Sequence, residues 1–289
     1  MTLQQQQFFN LCLLLLLGAL FSNLYLLWYE IFGIFIFTLL FDNVLLSRRA
    51  KQRLQFSYSS LSTSIGVMLM MATSHYIIYL IVISLALLQK YYLQINREHF
   101  FNPSNFALMM ALLFFYDDAH LILGQLGDAL WLALLLIVMA VVILIRANRW
   151  IIPLVFTFCY LIFQYLFVIS LDPLLIMDEI YYRFYSVSFI LFILFMLTDP
   201  KTTPQSNFWQ MIFAFMVALF SVGLDYLNGF RVQHLFFSLF LFSLFTPLVK
   251  RYQHQSKRLI IGTVLLLTMA IVVILIIESR PPFYFTMDN

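Results

Sequence analysis

Long stretches of this chain carry almost no charge. About eleven such windows follow one another: 8–28, 31–46, 58–73, 76–93, 104–116, 128–145, 150–170, 182–198, 208–224, 232–249 and 259–277. A helix crosses the hydrocarbon of a bilayer with about 20 apolar residues, and most of these windows approach that length. Of the 289 residues 63% are apolar and only 10% charged, against roughly 45–50% and 25% in soluble globular domains. Too little charge is left to coat a water-soluble globule, and the 18% aromatic content excludes intrinsic disorder. Within lipid the backbone must satisfy its own polar groups, which leaves helices or closed barrels. Runs such as Leu13 to Leu17 lack the alternation of barrel strands. The chain reads as an all-α polytopic membrane protein of about 10–11 transmembrane helices, one integral membrane domain over residues 1–289.

The charges between the windows set an orientation, because Lys and Arg collect on the cytoplasmic side. With the N-terminus inside, the inner loops and helix ends hold Arg48, Arg49, Lys51, Arg53, Lys90, Arg97, Arg146, Arg149, Lys201, Lys250, Arg251, Lys257 and Arg258. The outer side holds Arg183, Arg231 and Arg280, completing the 16 basic residues. Asp117, Asp118, Asp172, Asp178, Glu179 and Asp225 fall outside. The expected location is the inner, cytoplasmic membrane, multi-pass, with a cytoplasmic N-terminus. Residues 2–7 lack a basic stretch and no small-residue cleavage site follows, so the first run is expected to be retained as a helix. Cys12 and Cys159 both lie in apolar runs, where Cys behaves as a small hydrophobe.

Windows one to five (8–116) and six to ten (128–249) can form two inverted halves, since an odd number of crossings reverses the second, with 259–277 as an additional C-terminal helix. Paired short or broken segments in such halves point to a site. The short windows here are 58–73, 104–116 and 182–198. Asn102-Pro103-Ser104-Asn105 precedes one of them, and Thr198-Asp199-Pro200-Lys201-Thr202-Thr203-Pro204 follows another. The charge-derived topology puts both turns at the inner face, from different halves. Proline starts or ends a helix there, and irregular backbone at membrane depth must be buried by protein or line a polar cavity. A helix beginning at Pro103 would turn its positive end toward a phosphate or a ring carbonyl. The two turns are therefore expected to share one polar pocket.

These motifs and their spacing resemble the NqrB/RnfD family, membrane subunits of Na⁺-translocating NADH:quinone reductase and Rnf complexes. The Asn102-Pro103 turn, the Thr198–Pro204 turn and the Ser-rich third window, Ser59 to Gly66, carry the likeness. His99 to Phe106 and Gly124 to Trp131 resemble in particular its short, stand-alone UnbU-like members. The resemblance implies a urea-transporter-like inverted repeat and a flavin-bearing subunit that passes electrons in step with ions. It also implies cofactor-binding positions at Asn102, Ser104, Asn105, Thr198, Asp199, Lys201 and Thr202. The family's covalent FMN is attached to a Thr in a Ser-Gly-Ala-Thr-type segment. Residues Tyr116 to Gly124 contain no Thr, so covalent FMN is not expected here, while a non-covalent flavin (FMN or riboflavin) is. His99 stands where family members often have a further Asn.

Each polar residue also has a plainer reading. Asn102 and Asn105 can cap a helix, Asp199 can end one in an Asp-Pro turn neutralised by Lys201, and Asp42 can snorkel toward Arg48 or Arg49. His75, His120 and His234 are expected at the outer interface, and Glu30 in a solvated hairpin. No catalytic residue, metal-ligand cluster, Walker, GxGxxG, HExxH or nucleic-acid motif appears, so the expected partners are the lipid bilayer and other membrane redox subunits. Two further functions stay open: a flavin-free transporter of a small solute or ion on the same scaffold, and a scaffold subunit of a redox or biosynthetic complex.

Overall fold

The computed structural model describes residues 1–252 apart from 23, 51–55, 96–97, 124, 128 and 170–176. The expected eleventh helix, 259–277, lies outside the described residues, as do Lys51, Arg53, Arg97, Asp172, Lys257, Arg258 and Arg280.

Helical segments occupy the first ten windows. They are α1 (Leu3–Phe21), α2 (Trp28–Ala50), α3 (Tyr58–Met70), α4 (Tyr76–Tyr92), α5 (Pro103–Phe114), α6 (Leu130–Ala147) and α7 (Ile151–Phe163), which continues as a π-helical turn, Gln164–Ile169. After α8 (Met177–Tyr185) come α9 (Val187–Leu191), extended by a π-helical Phe192–Met196, then α10 (Asn207–Asn228), α11 (Gln233–Ser243) and α12 (Thr246–Tyr252). Leu3–Phe21, Trp28–Arg48, Leu130–Ala147 and Asn207–Asn228 are long and apolar enough to cross a membrane, and five shorter apolar helices accompany them. The chain is an all-α polytopic membrane protein. Four short strands, β1 (Met71–Thr73), β2 (Gln94–Ile95), β3 (Glu98–His99) and β4 (Ala119–Leu121), form only two antiparallel pairs, β1 with β4 and β2 with β3.

The eighth window departs from expectation. It divides at Ser186, whose hydroxyl is bonded to the Leu123 carbonyl. Arg183 explains the break: it is buried against the end of α10 and cannot lie in a lipid-facing span. α8 is therefore a separate amphipathic helix, and only Val187–Met196 remains as the short crossing.

The loops gather at two ends. At the basic end Lys250 bonds Glu98 at 2.7 Å and the Lys201 carbonyl at 2.6 Å, Gln210 bonds the Asn148 carbonyl, and Arg149 reaches Thr203 at 2.9 Å. At the opposite end β1 pairs with β4, Val187 N–H donates to the Gly127 carbonyl, and His75 approaches Asp118 at 3.7 Å. Charge pattern and packing thus sort the loops in the same way. The core between the ends holds Phe156, Tyr160, Phe189, Phe192, Phe236 and Ile65, all fully buried.

Candidate functional site

Helix α5 starts where its sequence says it should. Asn102 is extended (φ −63°, ψ 121°), its side chain accepts the Asn105 N–H at 3.1 Å, and Pro103 occupies the first helical position, where its missing N–H costs nothing. The Asn102 amide then donates to the Met196 carbonyl at 3.2 Å. Met196 closes the π-helical turn of the eighth window, so the first motif turn is bonded to the end of the helix that leads into the second.

The second turn is held by its own side chains. Asp199 Oδ1 accepts the Lys201 N–H at 3.0 Å, an Asx-turn, and its carbonyl accepts from the hydroxyls of Thr202 (3.3 Å) and Thr203 (2.8 Å). Arg149 braces it from α6. The left-handed Asn148 (φ 52°) ends that helix in the conformation Asn tolerates best after Gly, and this swings Arg149 toward Thr203 and the Pro200 carbonyl.

Between the turns lies a cavity of about 250 Å³, close to the lower bound of roughly 300 Å³ for small-molecule sites. Of the seven residues singled out in the sequence, Asn102, Ser104, Asp199 and Lys201 line it. The other three expected residues face elsewhere. Asn105 donates to the Phe236 carbonyl at 3.1 Å, the Thr198 hydroxyl bonds its own helix at Leu194, and Thr202 is buried within the turn. Their role in the structure is to shape and join the turns. The lining also includes Gln4 and Gln7 of α1, Ser59 and Ser62 of α3, and His99. Gln4 and Gln7 belong to a run of four glutamines, Gln4 to Gln7, and only the packing of α1 shows which of the four line the cavity.

His99 is 5% exposed, and no hydrogen bond of its imidazole is present among the described residues. Burial, with Lys201, Lys90 and Lys250 nearby, holds its pKa down at about 3, so the ring is neutral at physiological pH. Burial pushes the Asp199 carboxyl upward, against the opposing pull of the Lys201 N–H, Lys201, Lys250 and Arg149. Gly66 sets the wall between α3 and α5: a Cβ there would stand 2.6 Å from Ser104 Oγ, and small residues are what let membrane helices approach this closely.

Behind the cavity wall, Asp42 corrects its expected role. It does not snorkel to the helix end but is fully buried, its Oδ1 accepting from Ser60 (2.6 Å) and Tyr91 (2.9 Å), while Lys90 donates to Ser60 at 2.7 Å. Removing a carboxylate from water is tolerable only with such partners. His234 is a second correction: it is buried, with Nδ1 at 2.7 Å from Asp225. His75 and His120 are exposed, in agreement with interfacial placement. Glu30 caps α2 by accepting the Leu27 N–H. Among the described residues no cluster of metal-ligating side chains occurs.

The cavity combines apolar walls (Leu11, Ile143, Leu191, Phe195, Met196) with amide and hydroxyl residues and the charged Asp199 and Lys201 on its other sides. That set fits the polar edge of a flavin ring, with apolar contacts for its faces. The Tyr116–Leu123 stretch, where the family's covalent attachment would lie, forms β4 and its flanks at the opposite end of the bundle. A search of curated proteins finds no match to the chain. The sequence model of the NQR2, RnfD, RnfE family matches residues 86–258, the larger part of the chain and both motif turns, and the chain belongs to that family.

Proposed function

We propose that this RnfD/NqrB-type membrane subunit passes electrons through a non-covalent flavin, FMN or riboflavin, held in the basic-end cavity, beside other membrane redox subunits and in step with ion movement. The observation that carries this reading is that residues of both motif turns line one cavity of mixed lining, with Asn102 bonded to Met196 just ahead of the second turn. A flavin, when bound, supplies reversible uptake of electrons. The chain's own residues bind and orient it. Asn102 is held by two hydrogen bonds and so offers a preorganised amide. Ser104, whose hydroxyl donates to the Thr63 carbonyl at 3.1 Å, keeps its own oxygen free to accept. Phe195, Met196 and Ile143 keep water from the ring faces. The excess of Lys and Arg at this end supports placing it, with the N-terminus, at the cytoplasmic face of the inner membrane.

The test is the visible absorption spectrum of detergent-purified protein before and after acid precipitation. Flavin bands that leave the pellet on precipitation are expected. Protein that carries no flavin and takes up none when it is supplied rejects the reading in favour of a flavin-free transporter. Bands retained in the pellet reject its non-covalent part.

A further inference from the structure

The helix of the eighth window has a hollow on each side. Leu191 and Phe195 line the polar cavity, whereas Ile190 and Leu194 form the floor of a second, apolar groove of about 970 Å³. α6 and α7 both pack on this short helix and make the walls of the groove, Val141 and Leu144 on one side, Leu154 and Phe158 on the other. We infer that the groove holds one acyl chain of an anionic phospholipid, drawn from the leaflet on the basic side, with its headgroup at Asn148 and Trp150.

Length, taper and charge select that occupant. Ile137 and Asn148 both line the groove, and the rise between them along α6 is about 16 Å, close to half of the roughly 30 Å hydrocarbon core. The groove therefore runs through one leaflet. At its basic end α6 stops at Ala147 and α7 starts at Ile151. The turn between them is tight: the Asn148 N–H donates to the Ile145 carbonyl, the Arg149 N–H to that of Leu144, and the Ile152 N–H to that of Arg149. So short a link keeps the two helix ends near the ordinary packing distance of about 8–10 Å. A third helix, about 10 Å across with its side chains, cannot enter there, whereas a hydrocarbon chain can.

The mouth is polar and positively charged. The Asn148 side-chain amide and the Trp150 indole N–H line it with no partner among the described residues, and Trp is favoured at the membrane interface. Arg146 and Arg149 flank this pair in the chain. Arg146 bonds Gln6 and the Met1 carbonyl, and Arg149 bonds Thr203 and the carbonyls of Ala147, Asn148 and Pro200. Both guanidinium charges thus meet neutral oxygens among the described residues. Asp199, on the cavity side, acts on Arg149 from beyond ion-pair distance. A phosphate headgroup answers both the open N–H groups and the uncompensated charge, as in other basic recesses between membrane helices.

The full chain is reconstituted in phosphatidylcholine vesicles holding a minor fraction of phosphatidylglycerol brominated on one chain. Bromine quenches indole fluorescence on contact, and the share of Trp150 is read as the difference from Trp150→Phe. Phosphatidylglycerol is expected to be about fivefold enriched at Trp150 over the bulk at low salt, with the enrichment shrinking as salt rises. Val141→Phe and Thr157→Phe, one on each wall, fill the groove and should each return quenching to the bulk level. Val138→Phe, exposed on α6 outside the groove, should leave it intact. An unchanged thermal midpoint shows that these variants keep the fold. Quenching no greater than that by the same fraction of brominated phosphatidylcholine overturns the inference. Enrichment that survives both filling variants overturns it too, because the lipid would then be held by its headgroup alone. Trp150 shielded from both brominated lipids, with cross-links between chains, assigns the groove to a second copy and likewise overturns it.

Discussion

Each end of the bundle buries one aspartate, and the two are treated differently. Asp225, near the end of α10, has both oxygens taken. Oδ1 accepts from the Arg231 N–H and stands 2.7 Å from His234, while Oδ2 accepts from Gln164 (2.6 Å) and Arg183 (3.4 Å). Arg183 is fixed in turn by Tyr160 and lies over the Phe230 ring at 3.3 Å. Asp42 at the basic end has one oxygen in use, and its Oδ2 is buried with no partner. The stations correspond. Asp42 and Lys90 close the second and fourth crossings beside the start of the third, and Gln164 and Asp225 close the seventh and ninth beside the start of the eighth. The saturation belongs to the Asp225 carboxylate, since Gln164 Oε1 beside it is buried with no partner. A network with spare valence beside a cavity leaves room for something to bind or move. The comparison teaches that one buried carboxylate is fully committed to its neighbours while the other, beside the cavity, keeps an oxygen uncommitted.

The sharpest way to break this contrast is a matched pair of substitutions. Asp225→Asn puts an amide where Gln164 and Arg183 both donate and leaves Arg183 buried without its counter-charge. A loss of about 3–5 kcal/mol is expected, read as a large fall in the thermal midpoint of the protein in detergent. The buried His99 gives a second test, in acid. His99 has a folded-state pKa near 3 against 6.5 when free, so below pH 6.5 the unfolded chain binds the proton more readily and stability falls as pH drops. From pH 7 to 5 the loss is about 2 kcal/mol, and His99→Phe should abolish it. A melting curve as acid-sensitive in that variant as in the unaltered protein would place the sensitivity elsewhere. Asp42→Asn is expected to cost least, about 1 kcal/mol, since its amide falls where Oδ2 met no donor. Equal losses from the two Asn substitutions would erase the difference between the ends.

Much of this was legible in the sequence. Apolar runs located the helical segments of the first ten windows, loop charges sorted the ends, and of the residues expected at Asn102-Pro103 and Thr198–Pro204, Asn102, Ser104, Asp199 and Lys201 line one cavity while Asn105, Thr198 and Thr202 do not. What stayed hidden depends on partners remote in the chain. Nothing local to Asp42 indicates that Ser60 and Tyr91 will meet it, so a nearby arginine was the cheaper assumption. Arg183 looked like an outer-end charge, and its burial follows only from Asp225, 42 residues on. Helix caps are local and were readable at Asn102, whereas the outward turn of Asn105 toward Phe236 required the packing of α5 on α11.

Gly66 has a consequence for how this cavity can vary. The separation of α3 from α5 there is fixed by a carbon that is missing, since a methyl group would sit 2.6 Å from Ser104 Oγ, 3.0 Å from its Cβ and 3.5 Å from the Met196 methyl. Position 66 carries no charge and donates no side-chain hydrogen bond, yet it gauges the width of the opening. Calibre and chemistry are therefore written at different places: the rim groups decide what is recognised, and one backbone position decides how thick it can be. Either can drift without rewriting the other.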